Sequence, residues 1–472
     1  MPKNTTTQEA FDKLSAERAV VQIKGKVRIV SWEPAEDGRT EVPVFSTTAE
    51  MRTFYANQIV PVSTPTPDGG TKVVQMPLFD FWLKHPDRPQ AVGITMDSKG
   101  GRFVDGRLNL WRGYGVERDF ADCSLLMRHI REVICSGNAE HADYLTRWIA
   151  WCLQHPTEPA EVVVVLRGRK GTGKGEFGRM LCRLFGSHAL QISERKHLVG
   201  TFNAHLLQVC LLFADEAFWP GDKASEGAFK RMITEPTLFV EPKGIDGFEV
   251  PNRLSIVMAS NEGWVVPASE DERRYAVLDV SDAHRQDFAY FDALREEMEH
   301  GGLGAFLDEM LELDLGDWHP RMNVPVTKGL ADQQAESVSP LVNWLGQILE
   351  EGVLPFGVRD AGGWIRIVHK TDPALARPGG LLQAARARDK RLAHVSDVAF
   401  WGFLDEHGIR KADDRRDASG RFRRFPPLAD ARKAFRDRYP FWPEFSAPTA
   451  GWEFDERHTN LSYGAVSMDM DD

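Results

Sequence analysis

Over residues 1–118 the apolar positions gather in short β-prone runs, Val20-Val21-Gln22-Ile23 and Val27-Arg28-Ile29-Val30, separated by turn clusters such as Thr64-Pro65-Thr66-Pro67-Asp68-Gly69-Gly70. This pattern predicts a β-rich N-terminal region. Over 119–160 the period lengthens. Leu125, Leu126, His129, Ile130, Val133 and Ile134 share one helical face, and Tyr144, Leu145, Trp148 and Ile149 share another, so a helical segment of two helices precedes the core. Residues 161–335 alternate apolar strands, helices and Gly-rich turns, the βαβ signature of an α/β domain, closing on a helical lid near 283–313. Past Ser337-Val338-Ser339-Pro340 a separate C-terminal segment, 336–472, is rich in Trp, Arg and short helical patterns. Neither an internal repeat nor a long low-complexity tract interrupts this order.

A length of 472 residues fits two to four domains at about 150 residues each. Hydrophobic residues at 42% and charged residues at 27% exclude global disorder and collagen-like order. The net charge of −11 means that any nucleic acid must be met by a locally basic surface. Cys123, Cys135, Cys152, Cys182 and Cys210 are widely spaced with no CxxC pair, which fits reduced thiols rather than a disulfide framework or a zinc ribbon. The apolar stretch Val162–Leu166 is too short to span a bilayer, and the first residues lack a signal-peptide apolar core. A cytoplasmic protein without membrane attachment is expected.

Chemistry concentrates in the α/β region. The strand Val162–Leu166 runs into Gly168-Arg169-Lys170-Gly171-Thr172-Gly173-Lys174-Gly175-Glu176, after which Phe177, Leu181, Leu184 and Phe185 mark a helical face. Strand, glycine loop and helix in this order make a phosphate cradle: backbone N–H groups turn inward, the helix N-terminus adds its dipole, and Lys174 supplies a mobile charge to the β- and γ-phosphates of ATP. The loop departs from the usual pattern at Gly175, where a Ser or Thr hydroxyl normally helps to hold Mg²⁺.

A buried strand, Leu207–Ala214, then ends at Asp215-Glu216. Two adjacent carboxylates at a strand end need positive charge nearby; Asp215 is assigned to the metal, with Glu216 beside it and orienting the attacking water. A third strand, Leu254–Ala259, ends at Ser260-Asn261, where a neutral amide can sense the γ-phosphate without adding charge. Arg273 and Arg274 follow Asp271-Glu272 and precede the strand Tyr275–Val280. An arginine presented to a neighbouring subunit's γ-phosphate is worth roughly 10³ to 10⁵ in turnover, and Arg274 is preferred over Arg273. Taken one at a time, an acidic turn, a turn-forming Asn and a surface Arg pair would look the same; their order along the chain distinguishes them.

The constellation resembles a superfamily 3 helicase, and more narrowly the helicase portion of phage and prophage primase-helicase or primase-polymerase proteins. The residues that carry the resemblance are Gly168–Gly175, Asp215-Glu216, Asn261 and Arg273-Arg274, with supporting words at Leu198–Asn203, Phe229–Thr234, Val240–Gly244 and Asn109–Gly113. It covers about residues 100–285 well and the ends weakly. It implies an AAA+-like P-loop ATPase core, Walker A Lys174, Walker B Asp215 and Glu216, sensor Asn261 and a trans-acting Arg274. It also implies a homo-oligomeric, usually hexameric, ring on single-stranded DNA and a pore hairpin over Val240–Val250 with Lys243 at its tip. Lys230 and Arg231 would assist at the DNA. Residues 1–118 show no acidic catalytic pair or zinc-ribbon cysteines, so a separate primase or polymerase is the expected partner.

Between residues 410 and 438 eleven Lys or Arg face five Asp, a local balance of 11 − 5 = +6 in an acidic chain. The run Arg415–Phe425 suits the wing of a winged-helix-like domain following a helix near 398–407, with Arg421, Arg423 and Arg424 on phosphates. Three other functions remain open: a P-loop NTPase of another class, acting on protein in remodelling or defence; a DNA-binding initiator controlled by nucleotide without helicase activity, which Gly175 favours; and a metabolite kinase, which would not need the Asn and the Arg pair for phosphoryl transfer within one subunit.

Overall fold

The computed structural model describes residues 6–34, 41–67, 69–193, 204–216, 223–242, 245–261, 265–266, 272–337, 339–359, 361–368, 380–409, 422–447 and 451–454. The chain divides into two compact units, residues 1–265 with 273–329, and 266–272 with 330–472.

In the first unit β1 (Arg18–Ile23) and β2 (Lys26–Pro34) form a hairpin through Lys24 and Gly25, both in the left-handed region that a tight two-residue turn requires. β3 (Glu41–Ser46) extends this sheet on one side, and Gln90-Ala91 pairs with the other edge of β1. A second hairpin joins β4 (Ile59–Pro65) to β5 (Thr71–Pro77). Helices Thr7–Glu17, Thr48–Phe54 and Leu78–Lys84 accompany these strands, so the region is mixed rather than simply β-rich. The first two helices start at capping boxes, Thr6 with Glu9 and Thr47 with Glu50. Phe11, Leu14, Phe79 and Trp82 fill the core between helices and sheet.

The word Asn109–Gly113 ties this region to the α/β sheet. Asn109 is buried and donates to the carbonyls of Asp97, Gly100 and Gly101, while its own side-chain carbonyl accepts from the N–H groups of Asp97 and Trp111. Trp111 stacks on His188 with ring centroids 4.3 Å apart, and Arg112 lies over Trp32 and pairs with Glu41 at 2.8 Å. These residues are structural connectors.

The expected helices before the core are Ser124–Arg128, continuing into a π-helical turn at His129–Ile134, and Ala139–Gln154. The α/β region is a five-stranded, wholly parallel sheet. Its strands are β6 (Val163–Arg167), β7 (Ala189–Ile192), β8 (Leu211–Asp215), β11 (Ser255–Ser260) and β12 (Tyr275–Asp279), in the order β7-β8-β11-β6-β12. Its central strands, buried on both faces, read as continuous apolar runs, as parallel sheets do. The expected strand over 207–214 is shorter: Leu207 closes a 3₁₀ turn, Ala204–Leu207, and β8 begins at Leu211, just past Cys210, whose N–H donates to the His188 carbonyl and whose carbonyl accepts from the Ser255 N–H. The apolar pattern gives no sign of the edge strand β7.

The helix Lys174–Phe185 buries Phe177, Leu181, Leu184 and Phe185 on the sheet. It comes so close at Gly178 that a Cβ there would lie 2.2 Å from the Phe213 ring. After the helix Lys223–Thr234, β9 (Thr237–Val240) and β10 (Phe248–Pro251) form an antiparallel hairpin. The buried Asn252 clamps its base, donating to the carbonyls of Met232 and Glu235 and accepting from the Leu254 N–H. The lid stretch contains Phe288–Glu297 and Leu303–Glu312, interrupted at His300 and Gly301, which are not helical.

The second unit packs helices Pro340–Glu351, Gly380–Arg388, Asp397–Glu406 and Leu428–Arg438 around Trp344, Phe400, Leu404, Phe425, Phe435 and Trp452. β14 (Phe422–Phe425) pairs antiparallel with β13 (Ile365–Val368), setting Ile367 opposite Arg423. The greater part of the expected wing, 415–421 and hence Arg421, lies outside the described residues.

Candidate nucleotide site

In a parallel sheet every strand delivers its C-terminal end to one edge. The register aligns Arg167 with Ser260, and Asp215 with Ala259, so the next residues along each strand, Gly168, Asn261 and Glu216, emerge side by side. Because β11 lies between β6 and β8, Asn261 falls between the glycine loop and the acid pair. The structure brings these three motifs together.

Gly171 and Gly173 take φ values of 83° and 97°, which turn the loop back before the helix begins. At Gly173 a side chain is also excluded by space: a Cβ would meet His129 Cε1 and Phe291 Cε1, each at 2.9 Å. Thr172 donates its hydroxyl to the Arg169 carbonyl at 3.0 Å. Lys174 is buried, and its Nζ donates to the carbonyls of Gly168 at 2.7 Å and Arg169 at 2.8 Å and to Asn261 Oδ1 at 2.9 Å. Burial pulls the Lys174 pKa below its usual value, against the opposing pull of Glu216, Asp215 and Asp282.

Asn261 uses both ends of its amide, accepting from Lys174 and donating Nδ2–H to Glu216 Oε1. Ammonium, amide and carboxylate thus form one chain across three strand ends. Glu216 adopts φ 57°, rare for a residue with a side chain, and its N–H is held by the Ala259 carbonyl at 2.9 Å. Asp215 ends β8, its pKa raised by burial and then by repulsion from Glu216, with Arg179 and Lys174 opposing. This carboxylate gains from any cation brought to it. Among the described residues no cluster of three or more His, Cys, Asp or Glu could hold a metal unaided, so a bound cation here would take most of its ligands from phosphate and water.

One wall of the loop is not apparent from the sequence motifs. Asp279, the last residue of β12, pairs with Arg167 in two bonds of 2.6 and 3.0 Å, and Asp282, just beyond the strand, approaches Arg169 at 3.3 Å. Arg285 donates to the Lys170 carbonyl at 3.3 Å and the Gln286 N–H to the Gly171 carbonyl at 3.1 Å. The one sequence signal for this wall is the match of two acidic residues, one at the end of the last strand and one just after it, to two arginines around the loop. Beneath the loop, His129 Nδ1 and the Tyr290 hydroxyl are 3.1 Å apart, and burial lowers the His129 pKa to about 4.

Arg273 and Arg274 are placed elsewhere. They precede β12 rather than following it, so they sit at the opposite edge of the sheet, where the Arg274 carbonyl accepts from the Val163 N–H at 2.7 Å. About six residues of strand separate that level from Gly168, about 20 Å at 3.3 Å per residue. Within one chain they do not join the Lys174 site.

The DNA candidates divide. Lys243 and Arg421 lie outside the described residues, as do Asp271 and the word Leu198–Asn203. Lys230 and Arg231 are in the last turns of the helix leading into the β9–β10 hairpin. Arg424 lies over Trp364. Arg423 requires correction: it is only 1% exposed, pairs with Asp405, donates to the Ile409 carbonyl at 3.1 Å and lies over Trp401. Alternation along β14 points it into the core, and its charge is not presented to a phosphate.

Residues 166–274 match a protein family described as a family of unknown function, DUF5906. A stretch of 152 residues is 24% identical to the DNA primase-polymerase of Nitratiruptor phage NrS-1. That alignment covers 32% of this chain and 21% of the phage protein, so the chain matches about a fifth of its relative's length. Two apo structures of the NrS-1 C-terminal region superpose with a TM-score of 0.56 each. One is 14% identical and covers 90% of this chain and 99% of that region; the other, the A form, is 12% identical and covers 89% and 99%. At these identities the likeness is one of fold, and it extends over nearly the whole of that phage region.

Proposed function

We propose that the protein is an ATP-dependent DNA helicase or translocase of a phage or related mobile element, working on single-stranded DNA as a ring, with priming left to a separate primase or polymerase. The observation that carries the proposal is the chain Lys174–Asn261–Glu216, which links the glycine loop, the neutral amide and the acid pair at the strand ends. The likeness to a phage primase-polymerase supports the replication setting.

In this reading the loop N–H groups and the helix N-terminus hold the phosphates, and Lys174 leaves its loop carbonyls for the β- and γ-phosphates. Mg²⁺ would sit by Asp215 and supply neutralisation of the phosphate charge. Glu216 orients the attacking water, and Asn261, already bonded to both Lys174 and Glu216, reports on the γ-phosphate. Arg274, about 20 Å from its own loop by strand rise, serves a neighbour's site, with Arg273 beside it. The β9–β10 hairpin presents its tip to DNA, with Lys230 and Arg231 nearby. No helix among the described residues is long and apolar enough to cross a membrane.

The test is steady-state ATP hydrolysis with and without single-stranded DNA for wild type, Lys174→Ala and Glu216→Gln. DNA-stimulated turnover abolished by both substitutions is expected; turnover indifferent to DNA and to Lys174 would end the proposal. Gly175 favours a second reading, an initiator in which nucleotide controls assembly, and it predicts nucleotide binding with no measurable turnover in wild type.

A further inference from the structure

Gly175 lacks the hydroxyl expected at this point of a phosphate loop, and the space beside it is taken by another group. A Cβ on Gly175 would lie 3.1 Å from Arg179 Nη1 and 3.5 Å from Nη2. Arg179 is four residues further along the same helix, so it belongs to the same face one turn away. Its Nη2 is 3.2 Å from Glu176 Oε1, and half of its side chain is exposed. Its charge also favours ionisation of Asp215. A planar fork of donors therefore lies over the first helical turn, the part of the loop that faces phosphate oxygens.

We propose that Arg179 binds the nucleotide phosphates, standing over Gly175 as a resident cation that takes over part of the neutralisation a hydroxyl-held Mg²⁺ provides in other phosphate loops. Nucleotide binding then depends only weakly on divalent metal. Glu176 does not compete strongly: it offers a single carboxylate at 3.2 Å in an i,i+3 pair whose arginine is half exposed, whereas a triphosphate offers several charged acceptors to the same fork. Threonine at 175 would have to push Arg179 aside, so hydroxyl and guanidinium are alternatives at this place. The proposal rests on the nucleotide-site reading of the glycine loop.

The experiment is equilibrium binding of a nonhydrolysable ATP analogue, in Mg²⁺ and in EDTA, to wild type, Arg179→Ala, Arg179→Lys and Lys174→Ala, with thermal melts to show that each is folded. Wild type is expected to lose less than about tenfold in affinity on removal of Mg²⁺. Arg179→Ala should be weaker than wild type by about tenfold or more in EDTA, the equivalent of one charge-assisted contact, with Arg179→Lys between them. A smaller difference for Arg179→Ala, or a larger metal dependence in wild type, overturns the proposal. If wild type does not bind the analogue, or binds it regardless of Lys174→Ala, the nucleotide-site reading itself falls.

Discussion

Replacing Asn261 by Asp changes one side-chain atom group and one charge, and so isolates what the central amide contributes. In the native site Asn261 Oδ1 accepts from Lys174 Nζ at 2.9 Å while Nδ2 donates to Glu216. Aspartate keeps the acceptor, loses the donor and sets two carboxylates against each other beside Asp215. It also holds Lys174 more tightly and adds a negative charge close to where the terminal phosphate would lie. Two unit charges about 5 Å apart at an effective dielectric constant of about 20 repel by about 3 kcal/mol, on the order of a hundredfold in Kd. Titration with a nonhydrolysable ATP analogue reads this directly. Asn261→Ala removes the amide without adding charge, and its binding should stay within about tenfold of wild type, the scale of one charge-assisted hydrogen bond, while turnover falls further. If Asn261→Asp bound the analogue as wild type does, Asn261 would not lie within reach of the phosphates and the site would have to be redrawn.

Gly173→Ala combines a left-handed backbone at φ 97° with a Cβ only 2.9 Å from His129 and Phe291; we expect a loss of about 2–4 kcal/mol in denaturant unfolding, and an unchanged midpoint would contradict the packing beneath the loop. Arg423→Ala removes the partner of Asp405 from the C-terminal core and should cost about 2–4 kcal/mol, while DNA affinity measured on the folded variant should be unaffected. Acid should destabilise the protein through His129 and His188, whose pKa values burial lowers to about 4. His188 accepts the Arg112 N–H at Nε2 and is 2.9 Å from the Gln208 carbonyl at Nδ1, so its neutral tautomer is specified and a second proton would break the first bond. Unfolded histidine titrates near 6.5, so these groups add stability that is fully present above about pH 7 and is lost as pH falls toward 4, at up to about 1.4 kcal/mol per pH unit for each. Calorimetric melts between pH 7 and 5 that did not shift downward would count against their burial.

The parts of the fold that are legible in sequence are those in which a local pattern and a buried face agree. The strands ending at Arg167, Asp215, Ser260 and Asp279 are apolar because both faces of the parallel sheet are covered, and the loop between β6 and its helix announces itself through glycines that its backbone angles require. The N-terminal helices are hard to see although Thr6-x-x-Glu9 and Thr47-x-x-Glu50 are capping boxes, because the β-branched runs around them dominate the pattern. β7 escapes notice because as an edge strand it buries only Ile192 fully. Arg423 shows the limit of counting charge: a basic run predicts a basic surface, but alternation along β14 turns one member inward, and only pairing with β13 decides which one. The wall formed by Asp279, Asp282, Arg285 and Gln286 depends on tertiary closure around the loop, which no local period encodes.

The position of Arg274 makes a prediction that separates a motor from a self-contained nucleotide binder. Parallel strands carry Lys174 at one edge of the sheet and Arg274 at the other, about 20 Å apart by strand rise, so one chain cannot apply both to the same phosphate without unravelling β12. If the sites are shared between subunits, Lys174→Ala and Arg274→Ala each abolish turnover for different reasons: the first has no grip on its own nucleotide, and the second has nothing to offer its neighbour's. Mixed in equal amounts and allowed to exchange, they should recover activity at each interface where an intact loop meets an intact arginine. Random assembly makes about one interface in four of this kind in a closed ring of identical subunits. Recovery toward that fraction, with neither variant active alone, requires a nucleotide held at a boundary between chains. Mixtures that stay silent while gel filtration shows the two variants exchanging would place the arginine's effect within its own chain, and the ring motor would lose its physical basis.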